Sequence, residues 1–84
     1  MSPPTYYFVN YTCKEFCWFN NKSPIFQELT HIVKWNHRWT LEDNIHVESE
    51  LSGSTFLIEH LVNDLQFVNL DYDSSEDSVP DSVA

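Results

Sequence analysis

Apolar residues recur at spacings of three and four in two stretches of the chain, and this spacing predicts two amphipathic helices. The first helix is predicted within residues 23–39, on a stripe formed by Ile25, Phe26, Leu29, Ile32 and Val33. Ser23 is expected to cap this helix and Pro24 to occupy its first position, because a serine oxygen accepts a bond from an unpaired amide and proline lacks that hydrogen. Asn36 interrupts the stripe and is expected to end the helix.

The second helix is predicted over residues 55–66. Its stripe consists of Leu57, Ile58, Leu61, Val62 and Leu65. Ser54, which follows the only glycine of the chain, is expected to be its N-cap. The apolar residues Phe67, Val68 and Leu70 come next, as a short strand or a hydrophobic clasp.

Three stretches have the residue pattern of β-strands. Residues 5–11 are rich in aromatic and β-branched side chains on both faces, and residues 16–19 repeat this composition after a short loop. Residues 44–49 alternate apolar and polar side chains, as in a strand with one face in solvent. The order of elements is therefore strand, strand, helix, strand, helix.

This order predicts an α+β domain over residues 1–70 with a small three-stranded mixed sheet. The first helix is long enough for a crossover connection, so strands two and three should be parallel with strand one between them, in the order 2-1-3. Both helices are expected on one face of the sheet. The other face would then expose aromatic residues of the hairpin, and large exposed apolar patches mark interaction surfaces.

The charge of the chain is unevenly distributed. The net charge of the 84 residues is −9: eight acidic and four basic residues give −4 in residues 1–70, and five acidic residues give −5 in residues 71–84. This acidic, serine-rich tail has too little apolar surface to offset the entropy of ordering, and it is predicted to be disordered. Ser74, with Asp77 three residues later, fits an acid-directed phosphorylation site, and a purely solubilising tail is the alternative.

The negative charge restricts the classes of partner. Nucleic acid and anionic membranes are unfavourable direct partners, because binding to either depends on Lys and Arg, whereas a basic protein would be attracted. An acidic inhibitor that mimics nucleic acid with its carboxylates is an alternative function, and its binding would weaken steeply with salt. No signal peptide or membrane-spanning stretch is visible, so the expected location is the cytoplasm or nucleus.

The cysteines and histidines allow one metal site to be considered. Cys13 and Cys17, combined with His31 and His37, match the loose spacing of a two-cysteine, two-histidine zinc site. We favour the alternative of two packing cysteines and two surface histidines, with no metal and no cofactor. Because no phosphate-binding loop or nucleophile motif is present, we expect a protein without catalytic activity.

A non-catalytic protein-interaction module is the function that these patterns favour. Tryptophan, tyrosine and arginine contribute most of the binding energy at protein interfaces. The expected contact surface combines the outer face of the hairpin with the exit of the first helix, through Tyr7, Tyr11, Trp18, Trp35, Arg38 and Trp39. Of the last two tryptophans, Trp39 is the favoured contact residue. A further alternative is a subunit of a larger assembly, such as a capsid, in which neighbours cover the hairpin.

Overall fold

Four strands and two helices form the fold. The computed structural model describes residues 4–70. The strands are β1 (Thr5–Asn10), β2 (Glu15–Phe19), β3 (Ile45–Glu50) and β4 (Val68–Asn69), and the helices are α1 (Ile25–Trp35) and α2 (Phe56–Glu59), which continues as a π-helical segment (His60–Asp64). The tail that is predicted to be disordered and its candidate phosphorylation site, Ser74, lie outside the described residues.

The strands form one mixed sheet in the order β3-β1-β2-β4. β1 is antiparallel to both β2 and β3, as the predicted order 2-1-3 requires, and β4 is parallel to β2. The predicted number of three strands is wrong because the chain returns to β2 after α2. There the Val68 N–H donates to the Lys14 carbonyl at 3.1 Å, and the Leu70 N–H donates to the Phe16 carbonyl at 2.9 Å.

The two helices lie on opposite faces of the sheet, which corrects the prediction that they share one face. Alternate side chains of β1 belong to two separate apolar clusters. The cluster under α1 contains Phe8, Cys17, Phe19, Ile32 and Trp39. The cluster under α2 and the π-helical segment contains Tyr7, Val9, Phe16, Leu61 and Phe67. A central strand that is apolar on both faces is stable only when both faces are covered, and here the same chain covers both.

Helix α1 is rotated relative to the predicted stripe. Ile32 is buried, but Ile25 is exposed and Phe26 is 68% exposed. Glu28, predicted to lie on the polar face, is only 5% exposed, and its Oε1 has no hydrogen-bond partner among the described residues. One predicted cap is also shifted, because Pro24 and not the preceding serine occupies the N-cap position.

The end of α1 is found where the sequence predicts it. Asn36 is the C-cap, and its N–H donates to the Ile32 carbonyl at 2.8 Å. The chain then leaves the helical conformation, since Asn36 itself has an extended backbone. The residues that follow run back over the sheet toward the β1–β2 turn.

Helix α2 is shorter than predicted and changes its hydrogen-bonding pattern. The Leu65 N–H donates to the His60 carbonyl at 3.0 Å, five residues earlier, as in a π-helix. At the start of α2, Thr55 occupies the N-cap position without a side-chain capping bond, and the Glu50 carboxylate of β3 accepts the Leu57 N–H. Ser54, the expected N-cap, lies one residue earlier, and its Oγ accepts the Phe56 N–H at 3.4 Å. A strand carboxylate and the serine therefore share the capping of α2.

Candidate functional site

The exit of α1 is tied to the hairpin by a buried carboxylate. Glu15, the first residue of β2, accepts the indole N–H of Trp39 on Oε1 at 2.9 Å and binds the Arg38 guanidinium through Oε2. Glu15 lies on the α1 face of the sheet, because it alternates with Cys17 and Phe19 along the strand. This position places a polar acceptor at the rim of the apolar cluster, where it pairs the only polar atom of the Trp39 side chain.

A second set of polar contacts fixes the rest of the exit loop. The Asn10 amide donates to Asp43 Oδ2 at 2.9 Å, and the Thr40 N–H donates to the same oxygen at 3.0 Å. These bonds, led by the one from Asn10, hold the pKa of Asp43 below its ordinary value. The Asn44 N–H donates to Thr12 Oγ1 at 2.9 Å. The loop is therefore fixed at both ends to the turn of the β1–β2 hairpin.

The structure places Trp39 in the core, which corrects its assignment to the surface. Its side chain is 1% exposed and contacts the apolar cluster under α1. Trp35 is 48% exposed, on the last turn of the helix. Arg38 is exposed as well, although its guanidinium is held by Glu15. At the helix exit, Trp39 is therefore a structural residue, whereas Trp35 and Arg38 remain accessible to solvent.

The hairpin residues of the predicted surface also separate into buried and exposed groups. Tyr7 is buried, because α2 covers the face that was expected to be bare. Trp18 extends from the same face and is 38% exposed. Tyr11, at the far end of the hairpin, is partly covered. Of the six predicted contact residues, three are exposed: Trp18, Trp35 and Arg38.

Tyr11 has a defined structural role. Its hydroxyl donates to Glu48 Oε2 at 2.5 Å, and its ring contacts those of His46 and Phe67 edge-on, with centroid distances of 5.1 and 5.5 Å. The bond to Glu48, together with partial burial, raises the pKa of Tyr11 to about 12. This side chain links β3 to the segment that follows the π-helical turns, and so its main contacts are within the fold.

A groove lies at the open end of the hairpin, where β1 begins and β2 ends. Its volume is about 450 Å³. The lining residues combine aromatic rings, side-chain amides and one ammonium group: Pro4, Thr5, Tyr6, Trp18, Phe19, Asn20, Asn21 and Lys22. None of the described residues that line it is acidic. An aromatic wall beside amide groups is suited to hold an apolar side chain and to bond to a peptide backbone.

The four residues considered for a zinc site, Cys13, Cys17, His31 and His37, do not form a metal-binding group. Within residues 4–70, no three His, Cys, Asp or Glu side chains are grouped so that they could hold one metal ion. Both cysteines are free thiols. Burial, followed by the charge of Glu15, raises the pKa of Cys17 to about 12, and burial and Asp43 raise that of Cys13. Both side chains therefore contact the cluster under α1 as neutral thiols.

Acid–base side chains pair locally and do not converge in the groove. His60 and Asp64 are 2.9 Å apart on an exposed surface of the π-helical segment. The buried carboxylates of Glu15 and Glu50 accept bonds that anchor the two helices. Sequence patterns did not predict that these two carboxylates accept hydrogen bonds inside the fold. The one feature that could have indicated it is the position of an acidic residue at the end of a strand.

Comparison with known proteins gives no relative. Within residues 4–70, neither helix has the length and apolar content that crossing a bilayer requires. The roles of the fold and the groove rest on the residues of this chain alone. No protein-family model, no curated protein and no solved structure matches this chain.

Proposed function

We propose that the protein is a non-catalytic protein-interaction module. The supporting observation is that Trp18 and Trp35 are 38% and 48% exposed, and that neither belongs to the two buried clusters. Tryptophan is the residue most enriched among those that dominate binding energy, and leaving it in water is unfavourable unless a partner covers it. Two such residues in a domain of this size favour a contact function.

The proposed contact surface is centred on Trp18 and its groove. The groove offers an aromatic wall and several amide groups, whose donors and acceptors match those of a peptide backbone. Trp35 and the exposed Arg38, at the exit of α1 on the other face of the sheet, form a second and separate contact region. Another protein is the proposed partner, and the net charge of −9 favours one that is basic.

The burial of several carboxylates favours a protein-interaction module over an inhibitor that mimics nucleic acid. Of the eight acidic residues in residues 1–70, Glu15, Glu28 and Glu50 are buried. Mimicry requires carboxylates ordered on the surface at the spacing of phosphates, and these three are turned into the fold. A subunit of a larger assembly, such as a capsid, is also less favoured, because α2 already covers the hairpin face that neighbouring subunits would cover.

A capture experiment with matched variants tests the proposal. The chain, immobilised through its C-terminus, is exposed to extract of its native source, and the retained proteins are identified by mass spectrometry. Trp18→Ala should lose a protein that the unchanged chain retains through the groove, and Trp35→Ala should lose one that it retains through the helix exit. Leu51→Ala, which removes an exposed apolar side chain elsewhere, is the control and should retain both.

Charge-based binding predicts a different result. If recovery is unchanged by Trp18→Ala but is abolished by raised salt or by truncation after Leu70, the carboxylates carry the interaction and the aromatic surface does not. A partner whose recovery depends on Trp18 and is insensitive to truncation supports the proposed module. Circular dichroism of each variant confirms that the fold is retained.

A further inference from the structure

The outer edge of strand β3 is unpaired in the part of the chain that the structure describes. β3 (Ile45–Glu50) forms the edge of the sheet and pairs with β1 on one side only. No other backbone hydrogen bond from the described residues reaches its outward side. The free N–H and C=O groups of such an edge are a template for another strand.

The antiparallel ladder determines which residues of β3 present these groups. The Tyr11 N–H donates to the Asn44 carbonyl at 2.9 Å, so residue 44 directs its backbone toward the hairpin. Bonded and non-bonded pairs alternate along an antiparallel ladder, and every second residue from Asn44 onward therefore bonds to β1. The residues whose backbone groups point outward are Ile45, Val47 and Ser49.

This edge lacks the features that usually prevent strand pairing. Its six residues contain no proline and no lysine, and its register with β1 is continuous without a bulge. Its two carboxylates are also engaged within the fold. Glu50 is buried and caps α2, and Glu48 accepts the Tyr11 hydroxyl through Oε2.

We propose that β3 pairs antiparallel with β3 of a second copy of this chain, about a two-fold axis at Val47. In this register, Ile45 of each copy lies opposite Ser49 of the other, so all three outward residues of both strands form hydrogen-bonded pairs. The same patch contacts itself, as a two-fold interface requires. The two sheets become one continuous sheet.

The side chains select this register by pairing a hydrogen-bond donor with an acceptor. His46 of each copy lies opposite Glu48 of the other at a non-hydrogen-bonded position, where side chains approach most closely. Oε1 of Glu48 has no hydrogen bond among the described residues and can accept an imidazole N–H. Within one copy, His46 Nε2 donates to Asn44 Oδ1 at 2.9 Å, so pairing with Glu48 exchanges this bond for one across the interface. On the other face, two half-exposed Val47 side chains meet at the axis. Moving the axis to Glu48 would place two carboxylates opposite each other, which is unfavourable.

Sedimentation equilibrium over a range of concentrations tests this dimer. The unchanged chain should show a monomer–dimer equilibrium. His46→Lys should strengthen it and His46→Glu should weaken it, with dissociation constants that differ by about tenfold, because each dimer contains two of these cross-strand pairs. Both substitutions are at an exposed position, so the monomer fold is expected to persist.

Two further variants separate this edge from the rest of the surface. Val47→Pro removes an outward N–H without removing a bond to β1, and it should abolish the dimer. Trp18→Ala, on a different strand, should leave the dimer unchanged, so failure of the dimer and failure of the proposed contact surface are distinguishable. A monomer at all concentrations, equal effects of His46→Lys and His46→Glu, or a dimer lost in Trp18→Ala would each overturn the proposal.

Discussion

The exit of helix α1 and the open end of the β1–β2 hairpin both contain tryptophan, yet the fold uses them differently. At the helix exit, Trp39 is buried, and its indole N–H is paired with the carboxylate of Glu15. At the open end of the hairpin, Trp18 stands beside a groove and remains 38% exposed. Trp39 is structural because a buried acceptor is positioned for its indole N–H, and the fold offers Trp18 no such burial.

The largest effect is expected from removing the buried tryptophan. Trp39→Ala should destabilise the domain by about 3–5 kcal/mol, because it leaves a large cavity in the cluster under α1 and removes the hydrogen bond to Glu15 Oε1. The free energy of unfolding in denaturant is the measurement. Trp35→Ala is the matched control and should cost less than about 1 kcal/mol, since that side chain is 48% exposed. Equal losses would place both tryptophans in the same environment.

Glu15 provides the next largest effect and tests what holds the helix exit. Glu15→Ala should destabilise the domain by about 1–3 kcal/mol, because the Trp39 indole N–H loses its acceptor in a buried site. Glu15→Gln keeps an acceptor oxygen for the indole and loses the charge that faces Arg38, so its cost should be smaller. Chemical denaturation of both variants measures the two contributions. A Gln variant as unstable as the Ala variant would show that the ion pair is the main contribution.

Tyr11 tests the opposite side of the sheet. Tyr11→Phe should destabilise the domain by about 1 kcal/mol, because Glu48 loses a hydrogen bond while the ring contacts remain. The pKa of the Tyr11 phenol rises from 10.0 to about 12 on folding, so its contribution is complete below pH 10 and is lost as the pH rises toward 12. Unfolding measured from neutral to alkaline pH checks this, and the Phe variant should lack this component of the loss.

The smallest effect on stability is expected at the open end of the hairpin. Trp18→Ala should cost less than about 1 kcal/mol, since the groove side of the ring is already in solvent. The same variant should weaken binding of a captured partner by about tenfold or more, as at other tryptophan hot spots. Thermal denaturation and a titration of that partner separate the two effects. A large loss of stability without a loss of binding would make Trp18 a core residue.

Local patterns predicted the elements that depend on local physics. The hairpin, the crossover helix and the Asn36 cap follow from residue spacing and side-chain chemistry within a few positions, and the structure contains all three. The face of the sheet on which each helix packs could not be predicted from these local patterns. A strand with apolar residues on both faces is consistent with a bare face or with a second cover, and only the fold shows that α2 covers the face that carries Tyr7.

The helix exit illustrates why the site was harder to predict than the fold. Trp39 and its acceptor, Glu15, are 24 positions apart, so no local pattern connects them. Glu28 was misassigned for a related reason, since rotating α1 by a fraction of a turn exchanges Phe26 for Glu28 on the sheet side. Side-chain exposure at the ends of elements depends on tertiary contacts that the spacing of residues does not encode.

The exchange of the indole hydrogens distinguishes the buried Trp39 from the exposed Trp18. In a two-dimensional ¹H–¹⁵N spectrum, the indole N–H signals of Trp18 and Trp39 are assigned from single Trp→Phe variants and then followed in deuterium oxide. Trp39 should exchange slowly, because its N–H is buried and bonded to Glu15, and Trp18 should exchange at the rate of an exposed indole. Fast exchange at Trp39, or strong protection at Trp18 in the isolated chain, would contradict the separation of a structural tryptophan from a contact tryptophan.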